Sequence, residues 1–589
     1  MRSIALLVSL FYAVQMIAVS TDVETRRLQL NVLINDLWEW HLQQNPMFAS
    51  IIGDKRYNDQ MGSASEKTIL EQQAKEKEFL KRFEAIDVTG LPHQDVLNRE
   101  LEIRSLKEDI EATDLKLWQM PVNQMDGIHI DAPQMVTVLS FETVKDYDDY
   151  IARLKQLPRI FDEETANMRK GMANGLMPPK FLLEKVVEQT NGIATLAPDQ
   201  TPYAQPLSRF PAGFSEADKS RLKTTGLAAI KDGVLPAYAK FATFVKEEYV
   251  PKGRTEVGVW SLPNGDAIYA YEVRHSTTTD KTAGQIHQIG LQQVAEIEKQ
   301  QLEIANRLGF KDLKSFRESV KANPKLYAQS REQILDLYRK YLAQMKPELP
   351  KLFGRLPKAD LIVIPVEPFR EKDAPGAQYV SGTPDGSRPG HVEVNTSEPK
   401  KRMVISIEST AYHEGVPGHH LQGTIAQEVK DLPAFRQHGW YGAYGEGWAL
   451  YSERLGKEVG FYQDPYSDFG RLEDEMLRAI RLVVDTGLHY KHWTREQVVQ
   501  YFHDHSAIDE PNVQSETNRY IAWPAQALSY KMGQLKILEL RARAQQQLGS
   551  QFDIREFNDQ VVDSGALPLD VLEEQINLWI AQKAAAKAN

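Results

Sequence analysis

Apolar residues recur at three- and four-residue spacing through most of the chain, and this helical rhythm is its dominant pattern. It begins after Thr21 in L-Q-L-N-V-L-I-N-D-L-W-E-W and returns in T-I-L-E-Q-Q-A-K-E-K-E-F-L-K-R-F. It continues in V-L-N-R-E-L-E-I-R-S-L-K-E-D-I and in the long stretch from Asp146 to Met172, which Gly175, Pro178 and Pro179 end. The N-terminal third therefore reads as a helical assembly. A Pro-, Thr- and Ala-rich segment between Asn191 and Gly213 predicts a long surface loop, and helices resume through Lys246. A short turn region is expected from Gly258 to Val273, followed by another long helical pair. Strand signals concentrate in one place: the β-branched run Leu361 to Val366, a second candidate at Gln378 to Ser381, and H-V-E-V-N-T at 391 to 396 beyond the turn P-D-G-S-R-P-G. After this small sheet the helical pattern runs to the end, closing in an unstructured-looking A-A-A-K-A-N tail.

At 589 residues the chain has room for more than one domain, or for one large helical body with subdomains. A net charge of -11 gives no broad basic footprint, so nucleic acid is not an expected partner. The first 20 residues combine a basic start, an apolar run and small residues at Ala18 and Ser20. This reads as a secretory signal cleaved after Ser20, and it implies an exported, periplasmic or secreted protein with no stable membrane insertion after cleavage. The rival reading is an uncleaved helix or anchor, which Gln15 and the shortness of the run disfavour. Cysteine is absent, which excludes disulfides, thiolate metal sites, a cysteine nucleophile and a lipid anchor on cysteine. Any metal ligand must be His, Asp, Glu or a backbone oxygen.

Residues 408 to 422, E-S-T-A-Y-H-E-G-V-P-G-H-H-L-Q, carry the strongest chemical signal. His413 and Glu414 begin like the zinc motif H-E-x-x-H, but Pro417 occupies the place of the second histidine. A zinc hydrolase needs three protein ligands, an open position for water and a carboxylate base. In a regular helix His413 and His419 would stand about 240° apart, whereas His413 and His420 would share a face about 10.5 Å apart. Gly415, Pro417 and Gly418 suit a disturbed helix. A bulge absorbing two residues would restore an effective spacing of four between His413 and His419, leaving His420 to face substrate; which histidine meets the metal stays open. Glu446 and Glu453, seven apart in Y-G-A-Y-G-E-G-W-A-L-Y-S-E-R-L, share a face in apolar surroundings and need partners there. Glu446 is the expected third ligand, and Glu453 is expected to steady a ligand histidine from behind. One H-E pair means little, but three of the 14 histidines fall within eight residues. Asp485 and His489, four apart, read as a structural hydrogen-bonding pair. Arg519 is a candidate for bidentate binding of a substrate carboxylate.

H-E-G-V-P-G-H-H-L-Q, G-E-G-W-A-L-Y-S-E, R-A-I-R-L-V-V-D-T-G-L-H and W-P-A-Q-A-L-S-Y-K-M-G, in this order, resemble the bacterial proteins grouped as domain of unknown function 885. More distantly the layout is similar to helical gluzincin peptidases of the thimet oligopeptidase and neurolysin type. That resemblance implies His413 and His419 as zinc ligands, Glu414 as base and Glu446 as third ligand. The chain departs from the pattern by two extra residues between Glu414 and His419. The resemblance also implies an oxyanion-holding tyrosine, matched best by Tyr530 and next by Tyr520, and a substrate-aligning edge strand, matched by the strand from His391.

The expectation is a mainly α, two-lobed helical body around a deep cleft, with a small β-sheet beside the zinc-site helix. The N-terminal lobe would span about 21–270 and the catalytic lobe about 271–589. The expected activity is zinc-dependent hydrolysis of short peptides. The rivals are a zinc amidohydrolase acting on non-peptide or cell-wall amides, and a non-catalytic peptide-binding protein.

Overall fold

A computed structural model describes residues 2–586 apart from 368–370, 372–373, 384–387 and 431, with side chains from residue 22 to 585. The expected export signal therefore lies outside the residues whose side chains are described. So do most of the turn before residue 390 and the last three residues of the tail. The described chain is mostly helical with one small sheet, and it divides into two compact units, Met1–Gly253 and Arg254–Asn589. None of the described helices is long and apolar enough to cross a membrane.

In the first unit, helix Val144–Asn174 starts at a capping box between Thr143 and Asp146 and stops at Gly175, which takes a left-handed φ of 74°. The stop signal read from the sequence is thus a helix cap that glycine adopts without Cβ strain. Tyr147, Tyr150, Leu154 and Phe161 of this helix pack with Tyr238, Phe241 and Tyr249 in an aromatic core. The segment from Asn191 to Gly213 is not the surface loop its composition predicts. Its start belongs to helix Lys180–Ala194, and three short turns then insert Tyr203 and Leu207 into the core. Tyr203 is paid for by hydrogen bonds: its hydroxyl meets that of Tyr238 at 2.8 Å, and its carbonyl accepts from Tyr150 at 2.7 Å.

The second unit holds the sheet and all the candidate chemistry. The region from Gly258 to Val273, expected as a turn, mostly forms helix Gly265–Thr277. Three strands are present: β1 (Leu361–Pro365), β2 (Ala377–Val380) and β3 (Gly390–Val394). Their order is β1-β3-β2, with β1 parallel and β2 antiparallel to β3. The strand from His391 is therefore central, with both edges paired, and cannot align a peptide as an edge strand. Its burial does not follow the alternation that made it legible, since Glu393 is buried along with Val392 and Val394. Strand β2 is the edge that approaches the candidate site.

Helices Gly442–Glu458 and Leu528–Leu548 cross where Gly447 meets Gly533. A Cβ on Gly533 would lie 1.7 Å from the Ala443 carbonyl oxygen, and one on Gly447 would lie 2.4 Å from the Gly533 Cα. Only glycine at both positions lets the helices bearing Glu446 and Tyr530 touch backbone to backbone. Gly533→Ala should force the helices apart at a cost of about 1–3 kcal/mol, read as a lowered urea midpoint. An unchanged midpoint would show that the crossing tolerates a methyl group.

Candidate metal centre

The helix bearing His413 spans Ile407–Glu414 and ends there; a new helix starts at His419 and runs to Glu428. The two extra residues are not absorbed by a bulge in one helix, as the sequence reading expects, but by a complete break. Gly415 still donates to the Ala411 carbonyl at 2.9 Å, and Gly418 then doubles back so closely that a Cβ would lie 1.9 Å from the His413 carbonyl oxygen. Trp448 clamps the connector by donating from Nε1 to the Pro417 carbonyl at 2.9 Å.

The break brings His413, His419 and Glu446 together, with one donor atom from each within 4.8 Å of the others. Glu446 Oε2 lies 3.5 Å from His413 Nε2 and 3.4 Å from His419 Nε2. Two donors each about 2.1 Å from one tetrahedral ion would stand about 3.4 Å apart, so the three residues fit the first shell of such an ion. Among the described residues no other group of three His, Asp or Glu side chains converges in this way.

The two histidines are held differently: His413 by a hydrogen bond, and His419, whose buried Nδ1 has no acceptor, by ring packing. His413 Nδ1 donates to Glu453 Oε1 at 2.8 Å, which fixes the tautomer and turns Nε2 toward the cluster. The His419 ring stands edge-on to His413 at 4.9 Å and packs on Trp440 at 5.8 Å. Trp440 is 59% exposed, and it lies over Gly445, where a Cβ would come within 2.2 Å of its ring. His420 faces away. It is buried, Nε2 donates to the Ala359 carbonyl and Nδ1 meets the Tyr379 hydroxyl, both at 3.2 Å. Burial lowers its pKa to about 4, in keeping with a neutral ring whose two nitrogens are engaged. No polar atom remains for the substrate contact expected of it.

Glu414 closes the His413 helix, and its Oε2 accepts the Tyr379 main-chain N–H of β2 at 2.8 Å. Tyr530 lies nearly parallel to His413, with ring centroids 6.5 Å apart. Arg519 Nη2 donates to the Tyr530 hydroxyl at 3.1 Å, and the Arg481 guanidinium sits 4.4 Å from the ring centroid. Tyr520, the alternative to Tyr530, is fully buried and uses its hydroxyl on Glu516 at 2.5 Å while accepting from Arg481. Asp485 and His489 do not bond each other. Asp485 accepts from Tyr269 and the Ala525 N–H, while His489 accepts from the Val259 N–H and donates to the Tyr520 carbonyl.

Sequence reasoning missed Trp440, Tyr379, Arg478, Arg481 and Glu516. Trp440 and Tyr379 reach the site from a loop and a strand outside the motif helices. The arginines lie in R-A-I-R, where spacing shows a helix face but not what that face meets.

The chain belongs to the family described as bacterial protein of unknown function (DUF885), whose profile matches residues 46–576. It is similar to a "putative lipoprotein" from Colwellia psychrerythraea, with a TM-score of 0.90 and 30% identity over 95% of this chain and 100% of that one. A "putative lipoprotein of unknown function" from Shewanella oneidensis shares the fold, with a TM-score of 0.67 and 18% identity over 93% and 99% of the two chains. No curated protein matches.

The cluster attracts positive charge. Burial pushes the His413 pKa down, but hydrogen bonds to Glu446 and Glu453 and the charge of Glu414 outweigh it and raise it to about 9. Burial likewise pushes Glu446 up, and His413 and His419 reverse this, holding it well below the ordinary carboxylate range. In metal-free protein the folded His413 pKa exceeds its ordinary 6.5. Its contribution to stability should be complete below pH 6.5 and lost as pH rises through about 9. NMR titration of metal-free protein should find this shift and see it fall by a unit or more in Glu446→Gln; a pKa unaffected by that change would dissociate the two residues.

Proposed function

We propose that the chain is an exported zinc-dependent peptidase that hydrolyses short peptides with Glu414 as general base. The single observation that carries this reading is the convergence of His413, His419 and Glu446 at donor spacings suited to one tetrahedral ion, with a glutamate directly after the first histidine. Export is supported by the pattern of residues 1–20 and by the lipoprotein descriptions of the similar structures.

When bound, zinc supplies Lewis-acid polarisation of a carbonyl and acidifies the attacking water. The remaining work falls to the chain's own side chains. Glu414 keeps Oε2 on the Tyr379 N–H, so its carboxylate is oriented, and it accepts the proton of the water and passes it to the leaving amine. Tyr530 accepts from Arg519, which has only donors to offer, so the tyrosine hydrogen is left to donate to the developing oxyanion. Trp440, exposed against His419, forms an apolar wall for substrate beside the ligand. The expected partner is a short peptide.

Metal analysis and hydrolysis of a mixed peptide pool test the reading. The purified protein should hold about one zinc per chain. Glu414→Gln should keep the zinc and lose about 10²- to 10⁴-fold in rate, the range of a positioned general base. His419→Ala should lose most of the zinc, whereas His420→Ala should retain it. Absence of stoichiometric zinc sinks the metal assignment, and full activity in Glu414→Gln sinks the mechanism.

A further inference from the structure

Beside Tyr530 two guanidiniums have one carboxylate between them. Arg481 and Arg519 share one carboxylate. Glu516 Oε2 accepts from Arg481 Nη2 at 2.8 Å and Nε at 3.2 Å, and Glu516 Oε1 lies 3.4 Å from Arg519 Nη1. The other Arg519 terminus is spread over neutral oxygens, donating to Gln526 at 2.9 Å and Tyr530 at 3.1 Å. A third guanidinium, Arg478, stands 5.9 Å from the Tyr530 ring centroid. It stands 3.7 Å from the carboxylates of both Glu453 and Asp474 and donates to the Asp474 carbonyl at 3.0 Å, so the chain itself answers its charge. Three N–H groups, Arg481 Nη1, Arg519 Nε and Arg478 Nε, are buried with no protein acceptor. The side chain of Arg481 is only 4% exposed.

A buried cation without a full counter-charge is costly, and such a cost is expected to persist where a ligand supplies the missing charge. The missing charge is an anion. Its location fixes its kind, because Arg519 and Arg481 flank the same tyrosine that lies 6.5 Å from a proposed metal ligand. From the His413 ring to the Arg519 guanidinium is within about four extended residues, at roughly 3.4 Å each. A planar carboxylate matches the guanidinium fork, and the one carboxylate that every linear peptide offers is its C-terminus.

We infer that Arg519 and Arg481 form a carboxylate subsite beside Tyr530, so that the peptides taken are those whose free C-terminal carboxylate lies within a few residues of the scissile bond. This deepens the peptidase reading and rests on it for the chemistry, but not for the binding. It makes the protein a carboxypeptidase-type exopeptidase that removes one or a few residues, and internal bonds of long chains are not its substrates. Arg519 has the more exposed side chain of the two, at 18% against 4%, and is the arginine that meets the carboxylate first.

Calorimetric binding to the full-length Glu414→Gln protein tests this without consuming the probe. Three probes are compared: N-acetyl-trialanine as the free acid, its C-terminal amide, and that amide with aspartate as its last residue. The acid should bind about 10- to 100-fold tighter than the plain amide, as a charge-assisted bidentate contact requires, and the aspartyl amide should bind like the plain amide. In Arg519→Gln the preference should fall toward one, and Arg519→Lys, which keeps the charge but not the fork, should fall between. If these variants fail to fold, the ratios in the parent decide alone. Equal binding of acid and amide, or binding of neither, overturns the subsite. An aspartyl amide that matches the acid overturns its assignment to the C-terminus. These ratios do not depend on zinc content or turnover, so the subsite and the peptidase reading can fail separately.

Discussion

Buried carboxylates must find a cation or a strong hydrogen-bond donor, and this one constraint organises the candidate centre of the second unit. Glu446 and Glu453 project from one face of helix Gly442–Glu458 into a region where their side chains are 15% and 2% exposed. Water cannot solvate them there, so each must meet a cation or a strong donor. His413 meets both, offering one ring nitrogen to each. His419 and Arg478 take the second place beside Glu446 and Glu453. The broken helix serves the same constraint. A continuous helix would carry His419 round to the far side, and the close return at Gly418 is what turns it back to Glu446.

The helix framework follows from ordinary packing, but its tolerance is narrow where it touches the site. Trp448 holds the connector, Gly445 leaves room for the Trp440 ring, and Gly447 lets the Tyr530 helix reach backbone contact. All three belong to the turn and a half of helix around Glu446. A shift of this helix would move a proposed ligand, the ring against His419 and the proposed oxyanion donor together. Rigid elements of this kind hold several groups to a common geometry better than loops do.

Much of this was legible in the sequence, and what was not has identifiable causes. The helical class, the small sheet before residue 400 and the grouping of His413, Glu446 and Glu453 with one of two adjacent histidines follow from period, composition and spacing. Sequence could not decide between His419 and His420, because adjacent residues differ by about 100° in direction and only the geometry of the connector selects one. The resemblance to the helical peptidases placed the strand from His391 at an edge, and alternation could not correct this, since it says nothing about whether both edges are paired. Sequence alone read 191–213 as surface from its prolines, but short proline-started turns can bury an aromatic when its hydroxyl finds a partner, as Tyr203 does. Arg519 stands out beside the tyrosines, but Arg478 and Arg481 look like an ordinary helix face until tertiary contacts put Arg481 on the same carboxylate as Arg519.

Tyr530 sits at the junction of two opposite fields. The His413 ring, with Glu414, Glu446 and Glu453 about it, is 6.5 Å from the Tyr530 ring centroid, and the guanidiniums of Arg478, Arg481 and Arg519 are 5.9, 4.4 and 5.9 Å from it. The opposite charges are not simply a set of salt bridges, since Arg481 and Arg519 turn to Glu516 and keep unpartnered N–H groups, while Glu446 turns to the histidines. Arg478 joins the two sets through Glu453 at 3.7 Å, whereas Arg481 and Arg519 pair with Glu516 instead. The proposed metal site and the proposed carboxylate subsite thus both adjoin Tyr530. A peptide C-terminus with its scissile carbonyl a short way upstream fits that order of charges, with the carbonyl at the acidic cluster and the carboxylate at the arginines.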